Sequence, residues 1–248
     1  RNMQGPQQRQ QVSTVICGHV DAGKWTITSR LMFELGGIDE RDMDRLRKDA
    51  ASRSASVFSF YMERQKLDRE RGARIHLTTN EFVTETKHYT IVDGPAKGDF
   101  VRNVISGASQ ADVALLMVPA DEIFATSIAK GNVKSGEIQG QTWQHASLLR
   151  SLGVKQLIVG VNKMDCKAAN YRKERYDEIA NEVASVLVRT GWKKQFDKGA
   201  IPIIPISSWD GDNVIQKSDK MPWWNGVEVN VLNKGFEKVA LHVHTLLD

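Results

Sequence analysis

The segment Gly18-His19-Val20-Asp21-Ala22-Gly23-Lys24-Trp25-Thr26 carries the residue types of a phosphate-binding turn. It follows an apolar run, Val12–Cys17, and opens a helix-patterned segment, Thr26–Leu35. In G-x-x-x-x-G-K-[ST] the glycines let backbone N–H groups converge on an anion, and the lysine reaches the outer phosphates. Asp21, Gly23, Lys24 and Thr26 are the candidate phosphate-side residues. The position after Lys24 requires a hydroxyl to bind Mg²⁺, but Trp25 stands there, and an indole offers only an N–H donor. A slip that moves Thr26 into the vacated position would also displace Lys24. A glycine turn that merely joins strand to helix is the plain alternative.

Three further groups fall at the ends of apolar runs, where ligands of open α/β sheets bind. Asp93-Gly94-Pro95-Ala96 ends His88–Asp93. An aspartate there can hold Mg²⁺ through water, whereas the glycine that D-x-x-G aims at the terminal phosphate is Ala96, whose β-carbon restricts the backbone. Asn162-Lys163-Met164-Asp165 ends Gln156–Val161. N-K-x-D reads guanine: Asp165 accepts from the base's N1 and N2 donors, Asn162 fixes the loop, and the Lys163 stem lies over the ring. Adenine cannot offer that donor pair, so the carboxylate would be left unpaired against it. Ser207-Ser208-Trp209 ends Ile201–Ile206, where a backbone N–H would reach guanine O6.

The elements that must position these groups follow from hydrophobic pattern. Runs Val12–Cys17, Glu81–Thr86, His88–Asp93, Val113–Val118, Gln156–Val161 and Ile201–Ile206 alternate with helical segments Thr26–Leu35, Phe100–Ser109, Thr142–Leu152 and Tyr171–Thr190. In the last, Tyr176, Ile179, Val183 and Leu187 share one helix face. This alternation predicts a mixed, mostly parallel sheet with helices on both faces, an α/β fold of the phosphate-loop type. Glu81–Thr86 and His88–Asp93 read as an antiparallel edge hairpin, the charged segment 51–72 as an exposed helix and loop, and Phe236–Leu247 as an amphipathic stretch closing over the sheet. His242 and His244, two apart, would face different sides of a helix and make no metal pair.

The 248 residues, 41% of them hydrophobic, suffice for one sizeable core, and the net charge of +4 does not argue for nucleic acid. Two cysteines, Cys17 and Cys166, make no disulfide framework; a reducing, cytoplasmic compartment is expected. No run of about 18 apolar residues exists, so no membrane partner is expected. Arg1–Gln11, with five glutamines, reads as a disordered lead-in to a single domain over 12–248.

With the four motifs in this order, the chain resembles the GTP-binding domain of translational GTPases related to elongation factor 1-alpha. Gly36-Gly37-Ile38-Asp39, Glu70-Arg71-Gly72, Asp99-Phe100, Ser109-Gln110-Ala111-Asp112 and Gly153-Val154-Lys155-Gln156 continue the resemblance. Val118-Pro119-Ala120-Asp121, Ile128-Ala129-Lys130-Gly131-Asn132 and Gly136-Glu137-Ile138-Gln139-Gly140-Gln141-Thr142 are more narrowly similar to the elongation-factor-like protein that replaces it in some eukaryotes. The resemblance implies GTP-dependent delivery of aminoacyl-tRNA to the ribosome; the two β-barrel domains that follow in the family are not in this chain.

Departures from the family pattern cluster where metal and terminal phosphate would sit. Trp25 replaces the metal-binding hydroxyl, and Arg74 stands at the switch threonine. Ala96 replaces a glycine, and Lys97 stands at the histidine that positions water. Gly98 and Trp143 occupy positions where the family usually carries arginine. Asn162, Lys163, Asp165 and Ser207 are retained. The expectation is a degenerate G-domain with no catalytic set intact and no Mg²⁺ site, Asp93 being vestigial. It acts as a binding or structural module with protein partners. Binding of GTP or GDP through the retained residues stays open, as does the alternative of a working elongation factor. Pairing of Lys24, Arg74 or Lys97 with Asp21 or Asp93 in place of the metal is a further expectation.

Overall fold

The structure is a computed structural model describing residues 10–35, 78–83, 87–93, 111–131, 139–232 and 238–248, with isolated helical positions at 41, 44, 45, 47, 48, 57 and 105. Segments 36–40 and 94–104 and most of 51–72 lie outside the described residues, as do positions 1–9 of the expected lead-in.

A six-stranded sheet forms the centre, in the order β2-β3-β1-β4-β5-β6. Its strands are β1 Gln10–Gly18, β2 Thr78–Val83, β3 Lys87–Asp93, β4 Val113–Pro119, β5 Gln156–Asn162 and β6 Ile203–Pro205. All neighbours are parallel except the β2–β3 pair at one edge. Successive strand residues point to opposite faces, and Val15, Ile16 and Cys17 are each at most 1% exposed. Both faces at the middle of the sheet are therefore covered, which is why these strands read as unbroken apolar runs.

β2 lies three residues earlier than Glu81–Thr86, because one residue cannot turn a hairpin and 84–86 fall between the strands. β6 is shorter than Ile201–Ile206: Pro202 and Pro205 lack an N–H, and the strand is tolerated at the far edge. β1 takes in Gln10 and Gln11 from the expected lead-in.

Among the described residues the continuous helices are α1 Lys24–Glu34, α2 Ile123–Ser127, α3 Gln141–Ser151, α4 Lys173–Leu187 and α5 Lys193–Asp197. Ile179, Val183 and Leu187 of α4 are fully buried, as their spacing predicts. A widened turn, Val188–Trp192, follows α4, with Gly191 at φ 94° and the Trp192 indole donating to Ala146 O at 2.8 Å.

The C-terminal segment packs on the core through Val243 and Leu246, and it does so from a strand. β7 Val227–Leu232 and β8 Lys238–Val243 pair antiparallel as a separate two-stranded sheet. The alternation Val227, Val229, Val231 and Val239, Leu241, Val243 has period two, a strand signal. Strand spacing also brings His242 and His244 together, their ring centroids 4.5 Å apart, correcting the helical expectation. His242 Nε2 lies 2.6 Å from Asn225 O.

Candidate nucleotide site

β1 and β4 are neighbours that lead to opposite sides of the sheet, and the glycine turn leaves β1 at that switch point. Gly18 sits at φ 141°, where a β-carbon would come within 2.2 Å of Met117 O. Asp21 and Gly23 adopt φ 60° and 87°. Such alternation of backbone hand turns N–H groups into a concavity suited to an anion. Gly23, which has no side chain to cap with, occupies the N-cap of the eleven-residue α1, and a helix start of this kind suits an anion. Lys24 is 5% exposed, and its ammonium donates to Gly18 O at 3.0 Å and His19 O at 2.7 Å. Carbonyls of the turn thus hold the cation over the concavity.

Two residues that sequence reasoning missed support this turn from α3. His145 Nδ1 accepts from the Gly18 N–H at 3.0 Å, and Gln141 Oε1 from the Val20 N–H at 2.8 Å. Their four-residue spacing on one helix face was the available signal. Burial pushes the His145 ring down to about 3, helped by the charges of Lys24 and His19. It is therefore neutral, with Nδ1 free of its proton to accept. His19 is lowered as well, first by burial and then by Lys24.

The base side is organised by Asn162, 1% exposed at the end of β5. Its amide donates to Ala22 O at 2.8 Å, and its oxygen accepts from the Ser208 N–H at 2.9 Å and the Ser208 hydroxyl at 2.8 Å. One side chain thereby ties the phosphate turn to the loop after β6. A β-carbon on Gly23 would meet its Nδ2 at 2.2 Å, a second reason for glycine there. Ser207 Oγ donates to Asp165 Oδ1 at 2.6 Å, orienting that carboxylate. Because Asn162 holds the Ser208 N–H, the next backbone N–H, that of Trp209, is the candidate donor to guanine O6. The Trp209 side chain is 55% exposed.

Lys163 takes φ 66°, and its ammonium pairs with Asp121 Oδ2 at 2.6 Å. Asp121 follows β4 and was absent from the expected site. A second brace links the two base-side loops. The Tyr171 hydroxyl lies 2.6 Å from Asp210 Oδ2 and 2.8 Å from Asp212 Oδ2, and Lys220 Nζ reaches both carboxylates. Lys220 and Tyr171 hold Asp210 below the usual carboxylate range, while burial and the Asp210 contact raise the Tyr171 phenol.

On the metal side, Lys24 is the first residue of α1 and Thr26 the third. Trp25 is second and half-buried. Asp93 ends β3, paired in register with Ile16 of β1. Arg74, Ala96, Lys97 and Gly98 lie outside the described residues, as does any pairing of those cations with Asp21 or Asp93. Trp143, at the other family arginine position, is 8% exposed and donates to Ile128 O at 2.8 Å, so it packs in the core. Among the described residues no cluster of three or more His, Cys, Asp or Glu could hold a metal. No helix among them is long and apolar enough to cross a membrane.

The sequence profile of the elongation factor Tu GTP binding domain matches residues 9–246. The chain is 41% identical to elongation factor 1-alpha of Nanoarchaeum equitans over 223 residues, covering 89% of this chain and 47% of that protein. Elongation factor 1-alpha of Entamoeba histolytica is 42% identical over 224 residues, covering 89% and 48%. The chain thus spans about half the length of the curated relatives it matches. Among solved structures, Sup35 complexed with GDP is similar at TM-score 0.60 and 27% identity, over 88% of this chain and 43% of that one. The S. cerevisiae Ski7 GTPase-like domain bound to GTP gives TM-score 0.67 at 20% identity, over 88% and 48%, a likeness of fold.

Proposed function

The chain belongs to the elongation factor Tu GTP-binding domain family, and we propose that it is a guanine-nucleotide-binding module that has lost Mg²⁺ binding and GTP hydrolysis. It serves, on this reading, as a binding or structural part of a larger protein assembly in a reducing, cytoplasmic compartment. The observation that carries the proposal is Trp25, seated in register as the second residue of α1 behind an intact phosphate turn. Mg²⁺ demands oxygen ligands in near-octahedral geometry. An indole N–H is a donor without a metal-binding lone pair, so the residues present do not fit that ion. Arg74, Ala96 and Lys97 change the groups that would sense the terminal phosphate and position water, and phosphoryl transfer depends almost wholly on such positioning.

The other half of the site supports nucleotide binding without metal. The turn holds the Lys24 ammonium on its own carbonyls beside the concavity, Asn162 ties the turn to Ser208, and Ser207 orients the Asp165 carboxylate for a base. Identity of 41–42% to elongation factor 1-alpha favours a second reading, a working factor that delivers aminoacyl-tRNA to the ribosome.

A titration with fluorescent GDP, with Mg²⁺ and with EDTA, separates the two. The expected result is binding of equal strength in both and no phosphate release from GTP. In Trp25→Ser, Mg²⁺ is expected to tighten GDP by about tenfold, the scale of one charge-assisted contact. Wild-type protein whose affinity rises with Mg²⁺, or which steadily consumes GTP, refutes the proposal in favour of the working factor.

A further inference from the structure

Arg30 lies six residues beyond Lys24 on α1, and nothing in the phosphate chemistry uses it. Its guanidinium reaches to the base side. Nε donates to Ser208 O at 2.9 Å, Nη2 donates to Trp209 O, and Nη1 donates to Glu34 Oε1 at 3.0 Å. The side chain is 12% exposed. Gly211, at φ 93°, makes room for it: a β-carbon there would stand 2.8 Å from Nη1. A flat fork of fixed N–H directions thus holds two successive carbonyls of the loop after β6, a geometry a lysine cannot reproduce.

The two carbonyls are not equivalent in consequence. Ser208 C=O and Trp209 N–H belong to one peptide unit, which is planar and trans, so the two groups point in opposite directions. Drawing the carbonyl toward α1 turns the N–H away from it. The Ser208 N–H is already fixed by Asn162, so this loop is gripped on both sides of the peptide that matters.

We propose that Arg30 is a positioning residue for base recognition: by holding the Ser208 carbonyl it aims the Trp209 N–H at the oxygen on C6 of a guanine ring held by Asp165. The inference rests on the proposed guanine-nucleotide binding and adds the residue that sets its specificity at position 6 of the base. It also makes α1 a bridge, with its first turn on the phosphates and its body on the base-reading loop.

GDP and 6-thioguanosine 5′-diphosphate differ in one atom, an oxygen against a weakly accepting sulfur, and keep the same N1 and N2 donors for Asp165. Both are titrated in EDTA against wild type, Arg30→Met and Arg30→Lys, and the unfolding midpoint of each protein is followed by circular dichroism. Wild type is expected to prefer GDP by about tenfold, one hydrogen bond's worth. Arg30→Met is expected to bind the two nucleotides equally, with its affinity for the thio compound kept, and Arg30→Lys to recover only part of the preference. If Arg30→Met weakens both nucleotides by one factor, or keeps the full preference, Arg30 is only a brace and the inference fails. Should Arg30→Met not fold, Arg30→Lys decides: full preference overturns the inference and reduced preference supports it. Wild type that binds neither nucleotide overturns the nucleotide reading and this inference with it. Wild-type preference that survives in both variants overturns the inference alone.

Discussion

Asn162 is the residue on which the two halves of the site depend. It is almost wholly buried, and each of its polar atoms serves a backbone group of a different loop. Removing one partner of a buried hydrogen bond costs more than the bond contributed, because the group left behind has lost water as well. Asn162→Ala strands Ala22 O and the Ser208 N–H together. The expected loss is about 3 kcal/mol of folding stability, from two unsatisfied buried groups. Urea unfolding measures it, and a loss near that of an ordinary surface substitution would show that the clamp is redundant. By contrast, the Lys163–Asp121 pair is partly exposed, 28% and 22% for the two side chains, and screening leaves such pairs little net worth. The pair with Asp121 therefore fixes the direction of Lys163 and adds little to stability.

At the scale of elements, α3 is the floor of the phosphate turn. His145 and Gln141, one helical turn apart, accept two of its backbone N–H groups, and they stay where they are because Trp143, Ala146 and Leu149 anchor the helix in the core. The neutral ring that this requires links the turn to pH. His145 falls from 6.5 to about 3 on folding, so between those values the unfolded chain binds the extra proton. Its contribution is complete above pH 6.5 and is lost as pH falls toward 3, with a slope of up to about 1.4 kcal/mol per pH unit. His145→Gln keeps an acceptor without a titrating ring. Urea midpoints at pH 7 and pH 5 are expected to drop more in wild type than in this variant. Equal drops would place the acid sensitivity elsewhere.

At the scale of the molecule, the carboxyl ends of the parallel strands carry the candidate site: Gly18 ends β1, Asp93 ends β3 and Asn162 ends β5. Asp121 and Ser207 follow β4 and β6 directly. Cys17 lies near the carboxyl end of the inner strand β1, fully buried, and burial pushes its thiol up to about 12, whereas Cys166 is half-buried. Only a thiolate reacts readily. Thiol labelling at pH 8 is therefore expected to modify Cys166 rapidly and Cys17 at the rate of global opening, with the two rates converging in denaturant. Rapid labelling of Cys17 in native protein would mean that the sheet opens locally at the site. Urea below the unfolding transition gives the control.

The sequence by itself determined the order of the six sheet strands and of α1, α3 and α4 among them, and it singled out the strand ends as the candidate site. Motifs at strand ends need only a few residues at fixed spacing, and long apolar runs leave no doubt about which strands lie inside. It also exposed the conflict at Trp25, since one side chain decides whether a hydroxyl is present. The last strands went unrecognised although their period-two alternation is in the sequence, because β7 and β8 are six residues each, too short for the pattern to settle the element before the pairing is seen. Nor did the sequence reveal Arg30, Asp121, His145 or Tyr171. Each acts on a partner 42 or more residues away except Tyr171, which is 39 from Asp210, and contacts at that range leave no trace in local spacing. The tertiary structure decided those, because a hydrogen bond between distant residues exists only once the sheet has brought its strand ends into one row.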